Sequence, residues 1–250
     1  LVATPGRLIE LKESNALHFE ELTMLILDEA DKMLNLGFKE EMDKILSFLP
    51  KKRQNLLFSA TLSEDIDAIQ SIILKDPVVI KIASQEQNIN LIQQTGYWVK
   101  EEKKGPLLRH LILSREMKQV LIFASSTYQC DLVTDKLNKH GIKARAIHSK
   151  KSQGGRNAAI TEFKNGSLRV LVATDLLSRG IDIVNLPFVI NYELPRSPKD
   201  FVHRIGRTGR AENNGEALTL VTQEDAHHFK VIQKKMKHQV DMVESENLDF

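Results

Sequence analysis

Short apolar runs, each followed at once by polar or charged residues, alternate along this chain with segments of helical period. That alternation constrains the fold more than any other feature. A buried parallel strand reads as a short apolar run, and the stretch between two such strands must contain a crossover helix. The pattern predicts an α/β protein with strands at Thr23–Leu27, Asn55–Phe58, Val78–Ile82, Val120–Phe123, Ala144–Ile147, Leu168–Ala173, Phe188–Ile190 and Ala217–Val221.

Helix punctuation agrees with this reading. Ser126 and Gln129 stand at capping-box spacing, Cys130, Val133 and Leu137 recur on one helical face, and Gly141 is placed to end that helix. A second helix is expected from about Gly155 to Lys164, stopping near Gly166. A third is expected to start at Ser63, with Glu64 and Asp65 near the positive end of its dipole. The polar stretch Ala83–Gln94 has no strong period and reads as a linker. The resulting division is 1–82, a linker at 83–95, a second domain at 96–225, and a C-terminal helix and tail at 226–250. In that last segment Phe229, Ile232 and Met236 share one face and suit a docked helix.

Composition narrows the function classes. The chain is 42% hydrophobic and 27% charged, as ordinary globular domains are. It holds no apolar run long enough for a spanning helix, so no membrane role is expected. Its single cysteine, Cys130, allows neither an internal disulfide nor a Cys-rich zinc site, which suits a reducing, cytoplasmic setting. With 35 Lys+Arg against 33 Asp+Glu, any contact with nucleic acid must come from placed groups rather than bulk charge. The opening Leu1-Val2-Ala3, without Met, reads as part of something longer.

The placed groups stand at strand ends, where open parallel sheets bind ligands. Asp28-Glu29-Ala30-Asp31 follows one apolar run, Ser59-Ala60-Thr61 the next, and Ser125-Ser126, His148-Ser149 and Thr174-Asp175 follow others. Three acids within four residues suit a hard cation that shares its shell with phosphates, or else a helix cap. Arg204, Arg207 and Arg210 recur every third residue in His203-Arg204-Ile205-Gly206-Arg207-Thr208-Gly209-Arg210. They read as a mobile basic loop or helix start whose guanidinium forks fit phosphate oxygens, or else as a solvated turn. In Thr174–Asp182, Gly180 supplies backbone freedom and Asp182 suits either a ribose hydroxyl or a turn.

Taken in order, these residues resemble the DEAD-box ATP-dependent RNA helicases, in their bacterial form. Leu27-Asp28-Glu29-Ala30-Asp31 matches the name-giving motif, Ser59-Ala60-Thr61 the coupling motif, and Thr4-Pro5-Gly6-Arg7 an RNA-contacting motif. Leu121–Ser126, Gln153-Gly154-Gly155-Arg156, Ala173–Asp182 and His203–Arg210 follow in the family's sequence, so the likeness runs from residue 1 to about 225. It implies two RecA-like parallel-sheet domains, the first incomplete, with ATP in the cleft between them and RNA along both. Asp28 would hold Mg²⁺ through water, and Glu29 would position the attacking water. Arg207 and Arg210 would act on the γ-phosphate, and Gly180 and Asp182 would contact the nucleotide. Thr4, Pro5, Gly6, Arg7, Ser126, Arg156 and Thr174 would hold RNA, whereas Asp31, Ser59, Thr61 and His203 would couple the two sites. The expected partner is single-stranded RNA or a short duplex, bound largely without sequence preference by a monomer. Ribosomal or RNA-decay proteins are further candidate partners.

One motif of the family has no counterpart. No Gly-x-x-x-x-Gly-Lys-Ser/Thr occurs in the 250 residues, so the phosphate-cradling loop is missing from them. The expectation is an ATPase as the longer parent, negligible hydrolysis by these residues alone, and weak stability for 1–82. Ser125-Ser126 and His148-Ser149-Lys150 are smaller departures. A DNA translocase and a non-enzymatic RNA- or protein-binding clamp are the competing readings.

Overall fold

The computed structural model describes residues 1–30, 33, 37–59, 74, 76–81, 92–175, 183, 185–209 and 215–249. Internal packing divides the chain into Leu1–Ile82 and Ala83–Phe250. The first unit contains helix α1 (Pro5–Glu13), strand β1 (Met24–Leu27), helix α2 (Lys39–Phe48) and strand β2 (Gln54–Leu57). β1 and β2 pair in parallel, Met24 against Gln54 through Leu27 against Leu57. α1 and α2 cover one side of this pair, where Ile9, Phe19, Ile45 and Leu49 form a small core.

Among the described residues nothing covers the other side. Met24 and Ile26 alternate outward from β1, Ile26 being 55% exposed, and Phe58 just beyond β2 is exposed as well. The strand expected at Val78–Ile82 is absent over 78–81, where the chain joins no sheet and Val78 is 89% exposed. An apolar run becomes a strand only when a neighbour takes up its backbone hydrogen bonds, and among the described residues none stands beside it. The helix expected from Ser63 lies outside the described residues.

The second unit is built on a seven-stranded sheet in the order β5-β6-β4-β7-β8-β3-β9, with every pair parallel. Its strands are β3 (Ile92–Trp98), β4 (Val120–Phe123), β5 (Ala144–Ile147), β6 (Val170–Ala173), β7 (Phe188–Asn191), β8 (Gly215–Val221) and β9 (Asp241–Glu244). Helices α3 (Lys104–Ser114) and α4 (Thr127–Lys139) cover one face. On the other lie α5 (Gln153–Lys164), α6 (Pro198–Ile205) and α7 (Ala226–Met236). Alternation along β4 shows both faces being filled: Val120 and Ile122 pack toward α3 and α4, Leu121 and Phe123 toward α5.

Two strands are additions to the sequence reading. β3 begins inside the stretch read as linker, because Gln93, Gln94 and Gly96 hide its apolar alternation. β9 lies in the stretch read as tail and forms an edge of the sheet. The two meet at Gly96, where an added Cβ would collide with the sulfur of Met242, so glycine is what lets the final strand pack there. The punctuation at α4 is as expected: Ser126 Oγ accepts from Gln129 N at 3.1 Å, and Gly141 follows the helix at φ +76°.

Parallel sheets covered on both faces resist opening far better than a pair of strands covered on one. In native-state hydrogen exchange, the amides of β1 and β2 should exchange well before those of β4, β6 and β7. By denaturation, Phe123→Ala should cost about 3–5 kcal/mol, whereas Ile26→Thr on the open face should change stability by less than about 0.5 kcal/mol.

Candidate nucleotide and nucleic-acid site

In the first unit the acids stand at the carboxyl end of β1. Glu29 has φ +55°, a left-handed conformation that costs a residue with a Cβ some strain and recurs at functional turns. Asp28 Oδ1 accepts the Glu29 N–H at 2.8 Å and so steadies the turn, while both side chains stay exposed. The next N–H, of Ala30, donates to Phe58 O at 3.1 Å, and Phe58 N donates back to Leu27 O at 2.8 Å. This exchange joins the ends of β1 and β2 and brings Ser59 beside the Asp28–Glu29 turn. Asp31 and Thr61 lie outside the described residues.

The Thr4–Arg7 motif opens α1. Thr4 is the N-cap without using its side chain as a cap, and Pro5 takes the first helical position, where a missing N–H costs nothing. Gly6 leaves open space around its Cα, so the helix start can be approached closely. Arg7 is exposed and pairs with Glu10 at 2.5 Å.

In the second unit, β4 is followed by a helix on one face of the sheet, whereas α6, which follows its neighbour β7, lies on the other. A crevice opens at such a switch point. Arg204 lies at its base, only 1% exposed in the last turn of α6. Its Nε and Nη2 donate to Asp175 Oδ1 and Oδ2 at 2.5 and 2.8 Å. Nη1 donates to Glu193 O at 2.6 Å and to Asn191 Oδ1 at 3.2 Å, and the guanidinium lies over the Phe123 ring at 5.0 Å. Glu193 then uses Oε2 to accept from both Ser125 N (2.6 Å) and Ser125 Oγ (2.7 Å). One network therefore joins the ends of β4, β6 and β7 to α6.

For Arg204 this corrects the reading of a mobile basic loop or helix start whose guanidinium reaches for phosphate. Arg204 is a buried structural cation, because burial demands the full complement of partners it has found. His203, beside it on α6, and Arg207, just past the helix, are half-buried. The Arg207 segment is held by Leu186 N donating to Arg207 O at 3.0 Å and by the buried Thr208 hydroxyl donating to Leu186 O. A Cβ on Gly215 would strike that hydroxyl, so the start of β8 fits against it only as glycine. Gly180, Asp182 and Arg210 lie outside the described residues.

The expected RNA contacts of this unit gather at first turns and strand ends. Ser126 caps α4, leaving its own O–H available to donate. Thr174 follows β6 directly. Arg156 lies in the first turn of α5, whose N-cap Ser152 accepts from Gly155 N, and its Nη2 donates to Gln153 Oε1 at 2.5 Å. A second small network went unread in the sequence. His148, 1% exposed after β5, shares Asp131 Oδ1 of α4 with Lys151, at 3.0 and 2.8 Å. Burial pushes the Asp131 carboxyl up, but the hydrogen bonds from Lys151 and His148 outweigh it and hold the group below its usual range. Asp175, read only as a strand-end group, and Asn191 and Glu193, not singled out at all, were given no role, although all three lie at or just past the end of an apolar run.

Two measurements check these networks. Arg204→Ala would strand the Asp175 carboxylate and should cost about 3–5 kcal/mol in chemical denaturation, with Arg204→Lys unable to restore the fork. The Asp131 carboxyl should titrate by NMR below about 3.9, the ordinary aspartate value, and Lys151→Ala should move it upward. Because the folded value is depressed, the stabilisation is present at neutral pH and is lost as pH falls through that value.

Residues 1–69 match the DEAD/DEAH box helicase family and residues 103–212 the helicase conserved C-terminal domain. A DEAD-box ATP-dependent RNA helicase CshA of Geobacillus kaustophilus is 36% identical over 249 residues, covering 100% of this chain and 53% of the relative. The ATP-dependent RNA helicase DbpA of Escherichia coli is 40% identical over 232 residues, 93% of this chain and 50% of the relative. The chain thus spans about half the length of the curated relatives it matches. Among solved structures, Dbp5 of S. cerevisiae bound to RNA and ADP BeF3 gives a TM-score of 0.83 at 28% identity, over 98% of this chain and 66% of that one. A DEAD box protein from the hyperthermophile Methanococcus jannaschii gives 0.59 at 36% identity, over 97% and 65%. With both of its units matched and the motifs in place, the chain belongs to the DEAD-box helicase family and has its α/β, RecA-like fold.

Proposed function

We propose that this chain carries the DEAD motif, the coupling motif and the second RecA-like domain of an ATP-dependent RNA helicase, an RNA-stimulated ATPase that separates short duplexes. The observation that carries the reading is the strained turn at Glu29, which holds two exposed carboxylates side by side at a strand end. A Mg²⁺ ion that keeps most of its waters and shares phosphate oxygens needs only one or two carboxylates, and Asp28 at this turn fits that demand. When bound, Mg·ATP supplies the phosphoryl group to be transferred to water. Glu29 orients and polarises that water, while Arg207 and Arg210 neutralise charge on the γ-phosphate. Gly180 and Asp182 contact the nucleotide. Asp31, Ser59, Thr61 and His203 couple the nucleotide and RNA sites.

RNA is held by Thr4, Pro5, Gly6, Arg7, Ser126, Arg156 and Thr174. Helix N-termini, hydroxyls and arginines suit a sugar-phosphate backbone, and such contacts carry little sequence information. ATP and RNA then favour the same closed arrangement of the two domains, so each tightens the other's binding by the same factor. A cytoplasmic monomer is the setting this reading supposes, with ribosomal or RNA-decay proteins as its partners. The 250 residues contain no Walker-type loop, so by themselves they act as an RNA clamp without turnover.

Three results would support this reading. The 250 residues should bind single-stranded RNA more tightly than matched DNA, through the 2′-hydroxyls. Arg156→Ala should weaken binding and flatten the log–log salt dependence by about 0.7, the loss of one phosphate contact. Hydrolysis should be negligible until a RecA-like segment with a Walker loop is fused upstream, and Glu29→Gln in that fusion should abolish RNA-stimulated turnover. Equal affinity for RNA and DNA would point to a translocase, and brisk hydrolysis by the unfused chain would refute the assignment of the phosphate cradle.

A further inference from the structure

On the helical face of the second unit, α3 and α4 leave a cleft of about 330 Å³ between them. Its apolar lining comes from Pro106 and Leu108 on α3, Val133 and Leu137 on α4, and the ring of Tyr192 just past β7. Its rim is cationic, with Arg109 on α3 and Lys136 on α4, while Glu102 is the one acid in the lining. Among the described residues, neither Arg109 nor Lys136 has an ion-pair or side-chain hydrogen-bond partner. Elsewhere in the unit Arg115, Arg145, Lys151 and Arg204 are paired with carboxylates. Leu113, one turn beyond Arg109 and 49% exposed, continues the apolar strip along α3.

We propose that this cleft is a docking site for an acidic amphipathic segment of another protein, which seats an apolar anchor against Leu108, Val133, Leu137 and Tyr192 and pairs its carboxylates with Arg109 and Lys136. The volume is at the lower end of the roughly 300–1,000 Å³ that ligand clefts occupy, which suits a bulky side chain or two better than a large cofactor. Two neighbouring helices with an apolar seam between them accept a helix-in-groove partner, read through anchors spaced at i and i+3 or i+4. The unpaired cations choose its sign: an acidic flank gains two attractive pairs, whereas a basic flank meets like charge. The phenol of Tyr192 is pushed up to about 12, first by burial and then by Glu101 and Glu193, so it remains a hydrogen-bond donor at neutral pH. The inference does not depend on the helicase reading, since neither the strand-end network nor any proposed RNA contact lines the cleft.

The test is fluorescence anisotropy of the 250-residue protein with a short labelled peptide carrying Phe and Leu three residues apart, flanked by Asp and Glu. Two comparison peptides have Lys flanks, or Ser in place of both anchors. Binding of the acidic anchored peptide, at least about tenfold tighter than either comparison peptide, is the expected result. Two variants separate anchor from charge. Lys136→Glu should weaken binding by reversing one rim charge. Gly105→Met should weaken it by filling the cleft: Gly105 is helical, and the nearest atom to an added Cβ is Lys136 Cδ at 4.0 Å, so the substitution is accommodated. Circular dichroism melts matching the parent would show that both variants fold.

Loss of binding in both variants supports the cleft. Retained binding in Gly105→Met, equal binding of the anchorless peptide, or displacement by single-stranded RNA without any effect of Gly105→Met would overturn it, leaving only a basic surface. Concentration-dependent dimerisation abolished by Gly105→Met, with no peptide binding, would assign the cleft to a second copy and also refute the proposal.

Discussion

A guanidinium group taken out of water must replace its hydration with protein acceptors, and the architecture of the second unit follows from how Arg204 does so. Two of its N–H groups meet the Asp175 carboxylate and others meet Glu193 O and Asn191 Oδ1, while its face rests on Phe123. Those partners come from the ends of three adjacent strands. The network therefore fixes where the strands stop relative to α6, and with it where His203 and Arg207 begin. Such a network favours a unique arrangement more than it adds net stability, since desolvation offsets much of the attraction. What it secures is a rigid base beneath His203 and Arg207.

The first unit solves its problem differently. Among the described residues its sheet has two strands, and α1 and α2 cover one side of them. Order at its site rests on backbone hydrogen bonds between the ends of β1 and β2, which pin the strained Glu29 turn beside Ser59. A carboxylate pair raised on such a turn stays exposed, whereas Asp175 of the second unit is absorbed into an ion pair with the buried Arg204. The contrast is one of burial: Asp28 and Glu29 stay exposed at their strand end, and Asp175 is committed to structure through Arg204.

Much of this was legible from residue order. The strand-end rule placed Asp28, Glu29, Ser59, Ser125 and Thr174 correctly because a buried parallel strand is an uninterrupted apolar run, and its end is visible as the first polar residue. The cap at Ser126 was legible for a local reason as well, a hydroxyl three residues before the amide it accepts from. Val78–Ile82 misled because its composition is that of a strand, yet pairing depends on a neighbour that composition cannot report. β3 was hidden by two glutamines and a glycine whose presence makes sense only beside Met242 on β9, far along the chain. The arginines at 204 and 207 look equivalent in sequence, three residues apart in one motif.

Their separation into a buried strut and a half-exposed group illustrates the division generally. The order of short apolar runs and helical segments by itself determined an α/β, parallel-sheet class, the positions of most strands and the rim on which chemistry could occur, because those depend on local periodicity. Only the tertiary structure decided which charged side chains are consumed by the scaffold, that the last strand closes the sheet edge against Gly96, and that Arg109 and Lys136 border an apolar cleft without partners. Those outcomes depend on which distant elements become neighbours, and burial, which sets the energetic meaning of a charge, exists only once they have.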